Sequence, residues 1–168
     1  MLDQTTDLRA LLTDPALLAT QSYVNGDWID ADNGATFDVS NPARGDVIAQ
    51  VADLGRTEVS RAIEAARIAQ KGWAAMTAKE RSGILRNWFN LMMEHQDDLA
   101  AILTAEMGKP LSEAKGEVAY GASFVEFFAE QAKRIYGETI PGHQPDKRIT
   151  VIKQPIGVVG SITPWNFP

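Results

Sequence analysis

Cysteine is absent from the 168-residue sequence. Disulfides, thiolate metal sites and a cysteine nucleophile are therefore excluded within these residues. Histidine is nearly absent: His95 and His143 stand far apart, without the spacing of a helical metal site, and no metal is expected. Positive charge is also short, with 16 Lys+Arg against 22 Asp+Glu and a net charge of −6. No lysine- or arginine-rich run is present, so the electrostatic footprint of a nucleic-acid binder is missing. Apolar runs fall well below the length of a membrane span. Met1–Gln4 lacks the basic start and apolar core of a secretory signal, so a cytoplasmic protein with no membrane partner is expected. Neither G-x-G-x-x-G nor a Walker loop occurs. Gly157-Val158-Val159-Gly160-Ser161 is not a nucleophile elbow, because the serine lies one place beyond the second glycine.

What is present reads as an ordinary globular chain, 45% hydrophobic and 23% charged. The length suits one domain, or one domain plus a piece of another. Thr6–Leu12 and Pro15–Ala19 suggest short helical turns, with Asp14-Pro15 as cap and first residue. Asn25-Gly26 between apolar pairs predicts a hairpin, because both central positions of its turn need positive φ. A second extended pair is expected at Thr36–Ser40 and Val47–Val51. Thr57 is the expected cap of a helix carrying Val59, Ala62, Ile63, Ala66, Ala69 and Trp73 at helical spacing. Thr77-Ala78-Lys79-Glu80 matches a capping box opening a helix that turns Ile84, Leu85, Trp88, Phe89 and Met92 toward a core. A bend near Gln96 and a stop at Gly108 follow. Pro110 then opens a helix that runs through Ile135 and ends at Gly137. Ile140–His143 reads as a turn, and Lys147–Gln154 as an edge or exposed strand. Val158–Ile162 is β-branched and non-alternating, the pattern of a strand buried on both faces of a parallel sheet.

Ligands in open α/β sheets sit beyond the carboxyl ends of such strands, which draws attention to Thr163–Asn166. Asn166 suits either a helix cap or an amide donor aimed at an oxyanion, and spacing leaves both open. Phe124, Phe127 and Phe128 form a stripe that suits either a core or a substrate tunnel. Glu126 and Glu130 share a helix face, for which a solvated surface is the expected role.

Ile162-Thr163-Pro164-Trp165-Asn166-Phe167-Pro168 resembles the first motif of the NAD(P)-dependent aldehyde dehydrogenase superfamily. Tyr23–Trp28, Asn41-Pro42-Ala43, Glu106-Met107-Gly108-Lys109-Pro110 and Gln154–Val158 fall in that family's order. Within it, Thr77–Asp98 and Lys133–His143 most resemble the succinate-semialdehyde dehydrogenases. The resemblance implies an α/β fold made of the family's amino-terminal part, a small β layer plus long helices, leading into the first strand of a Rossmann-like cofactor domain. Residues 1–20 would be a helical extension and 21–143 the hairpin and helical part of the cofactor-binding region. Residues 144–156 would be an oligomerisation-arm strand, and 157–168 the first strand and asparagine turn of an incomplete Rossmann-like domain.

The implied reaction is oxidation of succinate semialdehyde, or a similar ω-acid aldehyde, by NAD or NADP through a cysteine thioester. By the same resemblance Asn166 would be the oxyanion donor, a role worth about 3–4 kcal/mol in comparable sites. Ile162, Thr163, Pro164 and Trp165 would border the cofactor. Phe124, Phe128 and Phe167 would line the aldehyde tunnel, and Lys147 and Arg148 would meet the far carboxylate. A homo-oligomer, dimer or tetramer, is the implied assembly of the full-length enzyme. With no cysteine, these residues alone are expected to be inactive. The competing reading is a non-catalytic interaction module that pairs its exposed Lys147–Gln154 strand with intact dehydrogenase subunits.

Overall fold

The structure, a computed structural model, describes residues 7–168. The reading of Met1–Gln4 therefore lies outside the described residues, as does Thr6. The chain begins with a short helix α1 (Leu8–Leu11), capped by the Asp7 carboxylate, and a 3-10 turn at Pro15–Leu17 capped by Asp14. Two antiparallel hairpins follow, β1 (Ser22–Val24) with β2 (Asp27–Ile29), and β3 (Thr36–Ser40) with β4 (Val47–Ala52). Asn25 (φ 55) and Gly26 (φ 96) both adopt the positive φ that the first turn demands. Tyr23 and Trp28 face each other across that hairpin, their ring centroids 5.2 Å apart in an edge-on arrangement.

Four helices make up the middle: α2 (Arg56–Ala75), α3 (Ala78–Glu94), α4 (Gln96–Met107) and α5 (Leu111–Gln131). The capping box at α3 is complete, with Thr77 Oγ1 accepting from the Glu80 N–H and the Glu80 carboxylate accepting from the Thr77 N–H. α3 and α4 break at His95, one residue before the expected bend, and Gly108 closes α4 in the left-handed conformation (φ 84). Helix α5 packs against both α3 and α4. Its contact stripe carries Ala114, Ala122 and Ala129, each essentially inaccessible, and Ala100 on α4 is equally buried. Small residues at seven- to eight-residue spacing let the helix axes approach closely.

A smaller apolar cluster joins the start of the chain to α4. Leu8, Leu12 and Leu18 are buried there against Ile48, Ala101, Ile102 and Ala105. Asp98, 6% exposed, reinforces the junction by accepting the Thr13 N–H at 2.9 Å and the Asp14 N–H at 2.8 Å. Those donors hold its carboxyl below the ordinary carboxylate range. Because the folded value is depressed, this contribution is complete above about pH 4, the unfolded carboxylate value. It is lost as pH falls through the folded value. Asp98→Asn, which keeps one acceptor oxygen in place of a charged pair, is expected to lower the melting midpoint by several degrees at pH 7. It should also flatten the acid limb of the melting profile. Amide exchange at Thr13 and Asp14 locates the change; unchanged protection there would refute the anchor.

Several expectations need correction. Helix α2 starts after Gly55, which has extended backbone, so Thr57 lies within the helix rather than capping it. Ile84 and Trp88 remain 47% and 55% exposed, while Leu85, Phe89 and Met92 are half-buried. Helical spacing identifies an apolar face but not the partner that covers it. α5 ends at Gln131, and a 3-10 turn at Ala132–Arg134 precedes Ile135, so that residue and Gly137 lie beyond the helix. Ile140-Pro141 is not a turn: β5 (Glu138–Pro141) pairs antiparallel with β6 (Arg148–Val151). Pro141 is tolerated because it sits at the end of a two-stranded ribbon. The expected strand Val158–Ile162 is absent; Val159 is 71% exposed and Ile162 fully so. No described segment lies beside it to supply a ladder, and a strand needs a hydrogen-bonding neighbour whatever its side chains.

Candidate functional site

The exposed segment after β6 returns to the helices at one point. Pro164–Phe167 form a β-turn closed by the Phe167 N–H donating to the Pro164 carbonyl at 3.0 Å. Proline is tolerated at the first position, because the turn uses its carbonyl as acceptor and does not need the N–H that it lacks. Asn166 is half-buried in this turn, whereas Ile162, Thr163, Pro164 and Trp165 lie open. Among the described residues no group hydrogen-bonds to the Asn166 side-chain amide. Its backbone, by contrast, is held: the Lys109 ammonium donates to the Asn166 carbonyl at 3.0 Å.

Phe167 and Pro168 close one side of a cleft of about 410 Å³. Helices α3, α4 and α5 form the remaining walls, through Met92, Leu99, Leu103, Val118 and Phe124 among others. Phe124 also borders a wider open groove with Phe127 and Phe128, and stacks edge-on against Tyr120 at 4.9 Å. The structure thus brings Phe124 to Phe167 and leaves Phe128 one turn farther along α5, outside the cleft. Lys147 and Arg148 line neither space. Lys147 pairs with Asp146 at 3.3 Å, and the Arg148 guanidinium donates to the Lys147 carbonyl at 2.7 Å. His95 ends α3 and begins α4 and lines no cleft described here.

Two groupings escaped the sequence reading. Glu126 and Glu130 are not merely a solvated face: both accept from Arg86 on α3, at 2.5 and 3.3 Å, and so tie α3 to α5. Lys109 and Glu117 form a pair with side chains only 12% exposed. Arg86 on α3 and Lys109 in the corner between α4 and α5 carry no local signal of partners 40 or 57 residues away.

Against known proteins, the description "Aldehyde dehydrogenase family" matches residues 28–168. The glutarate-semialdehyde dehydrogenase of Pseudomonas putida is 65% identical over 157 residues, 94% of this chain and 33% of that protein. The NADP(+) succinate-semialdehyde dehydrogenase of Escherichia coli is 62% identical, again over 94% of this chain and 33% of that protein. Among solved structures, an E. coli NADP-dependent enzyme superposes with a TM-score of 0.91 at 62% identity, covering 94% of this chain and 33% of its own. The chain thus spans about a third of the length of these relatives. Helices and small sheets share the aldehyde-dehydrogenase-like α/β arrangement of those structures. With a family match over most of its residues, the chain belongs to the aldehyde dehydrogenase family.

Proposed function

We propose that the protein carrying these residues oxidises a small aldehyde with a distal carboxylate, of the succinate or glutarate semialdehyde class, to the corresponding acid. The observation that carries the reading is the Asn166 turn, whose backbone is clamped while its side-chain amide has no hydrogen-bond partner among the described residues. A fixed N–H donor stabilises charge that develops on a carbonyl oxygen under nucleophilic attack, and it needs no reorganisation at the moment of reaction. The nucleophile itself comes from outside these residues, which hold no cysteine.

A nicotinamide cofactor, NAD or NADP, fits the neighbouring residues in one respect. Ile162–Trp165 are all exposed, and the Trp165 side chain offers an apolar face that no described residue covers. These residues would hold one side of the cofactor, which when bound accepts hydride. Phe124 and Phe167 exclude water from the aldehyde's hydrocarbon portion. Phe128 would extend that apolar wall along the open groove. Assignment of Lys147 and Arg148 to the substrate carboxylate rests on the family resemblance alone. The β5–β6 ribbon, exposed along every residue, is the proposed contact between subunits of a homo-oligomer.

Steady-state rates of the full-length protein decide the substrate class. Succinate and glutarate semialdehydes are expected to exceed a neutral aldehyde of equal length in kcat/KM by on the order of 100-fold, since an anion site rejects a partner that leaves it unpaired. Equal rates would refute the ω-acid assignment. Lys147→Ala with Arg148→Ala should abolish the preference, and an intact preference would remove those residues from the site.

A further inference from the structure

Residues 157–168 form no strand and are mostly exposed, yet their turn occupies a defined place. Among the described residues, the one hydrogen bond reaching this segment from outside is Lys109 Nζ to the Asn166 carbonyl, at 3.0 Å. The same ammonium lies 4.4 Å from the centroid of the Phe167 ring, inside cation–π range. Its third partner is the Glu117 carboxylate on α5. An ammonium has three donors and no acceptor, so carboxylate, carbonyl and ring face can be served together.

Lys109 is itself held rigidly. Gly108 before it is left-handed, with φ 84, and Pro110 after it restricts it to extended backbone while α5 begins one residue later. A β-carbon added at Gly108 would stand 3.0 Å from Pro42 Cγ, so the corner is packed from outside as well. The side chain therefore leaves a fixed corner between two packed helices. With Glu117 it is nearly shielded from water, where a charge-assisted hydrogen bond keeps more of its strength.

We infer that Lys109, oriented by Glu117, is the positioning residue that sets the Asn166 amide at its oxyanion, through the Asn166 carbonyl and the Phe167 ring. The inference rests on the oxyanion role proposed above. Lys109 holds the backbone on the carboxyl side of the Asn166 α-carbon, and the Phe167-to-Pro164 turn bond ties that side to the residues before it. With the backbone held across the α-carbon, the direction in which its amide projects is fixed. Misplacement of a catalytic group by about 1 Å can cost 100-fold in rate.

The test is a kinetic cycle in the full-length protein. Lys109→Met is combined with Glu117→Gln, so that no shielded carboxylate is left without its counter-charge. The expected result is a loss in kcat of about 10- to 100-fold. KM for aldehyde and cofactor should stay within about threefold, the mark of an interaction expressed in the transition state. In an Asn166→Ala background the same pair should cost almost nothing further, because the group being positioned is gone. Lys109→Arg, which keeps the cation, should recover part of the rate.

If the paired variant does not fold, Lys109→Gln alone carries the same readouts, since its amide can serve Glu117 but is too short to serve Asn166 as well. Losses that multiply independently of Asn166→Ala, or an unchanged kcat in the Lys109 variant, would overturn the positioning role. An unchanged kcat in Asn166→Ala itself would instead overturn the oxyanion reading, so the two failures are distinct.

Discussion

On the proposed oxyanion role, Asn166→Ala is expected to lower kcat for aldehyde oxidation in the full-length protein by about 10²- to 10³-fold, the usual consequence of removing one oxyanion donor. The expectation follows from the geometry of the turn. Asn166 is half-buried between Trp165 and Phe167, its carbonyl held by Lys109, its amide engaged by no described residue. Alanine keeps the backbone carbonyl and so keeps the clamp. Only the donor is lost, and the effect should fall on kcat and kcat/KM equally, with KM little changed. Asn166→Asp is expected to be worse than alanine, because it sets a carboxylate where negative charge develops. A rapid-quench or cofactor-absorbance burst separates acylation from the later steps and should show the slow phase in acylation. The alternative role, capping a helix beyond the turn, predicts a different signature: a lower melting midpoint with kcat nearly intact.

The second large effect is on stability. Ala122→Leu should destabilise the protein by about 1–3 kcal/mol, the ordinary cost of forcing extra methylenes into a packed interface. At about 2–4 °C per kcal/mol for a cooperative unit of 150–250 residues, this corresponds to a drop of roughly 2–12 °C in a melt. Ala122 has no accessible surface, and the helix carrying it packs against both α3 and α4. Helix α3 is in addition tied to α5 by Arg86, which pairs with Glu126 and Glu130. Gly116 on the same helix provides the contrast. A β-carbon there meets nothing within 4 Å, so Gly116→Ala should stabilise by about 0.5–1 kcal/mol through helix propensity alone. Equal melting of Ala122→Leu and the parent would mean that the α5 stripe is not the close contact described.

Comparison of these residues with the sequence reading separates two kinds of information. Asn25-Gly26, the Thr77/Glu80 capping box and Gly108 were legible because each solves a backbone problem within four residues of itself. Turns that need positive φ, and helix ends that need donors or acceptors, leave local marks. The order of hairpins and long helices was legible for the same reason. Thr57 misled because threonine is a good cap in isolation, whereas Gly55 takes the extended conformation first. Glu58, three residues into the helix, is instead turned toward the Asp32 N–H at 3.0 Å.

The candidate site divides in the same way. The Thr163–Asn166 stretch stood out by its own position after an apolar run, and resemblance to the family motif suggested the oxyanion role proposed for Asn166. Nothing in the sequence placed Phe124 beside Phe167 while leaving Phe128, Lys147 and Arg148 out of that cleft. Nor did it show that Val158–Ile162, β-branched at Val158, Val159 and Ile162, would lie open for want of a neighbour.

By itself, then, the sequence determined the Asn25-Gly26 turn, the Thr77/Glu80 capping box, the stop at Gly108 and the family to which the chain belongs. Tertiary structure alone decided which charges meet: Asp98 with Thr13 and Asp14, Arg86 with Glu126 and Glu130, Lys109 with Glu117 and the Asn166 carbonyl. Local conformational preference is written in a few adjacent residues. The partner of a buried charge is set by which helices pack together, and in the case of Lys109 and Asn166 that partner lies 57 residues away.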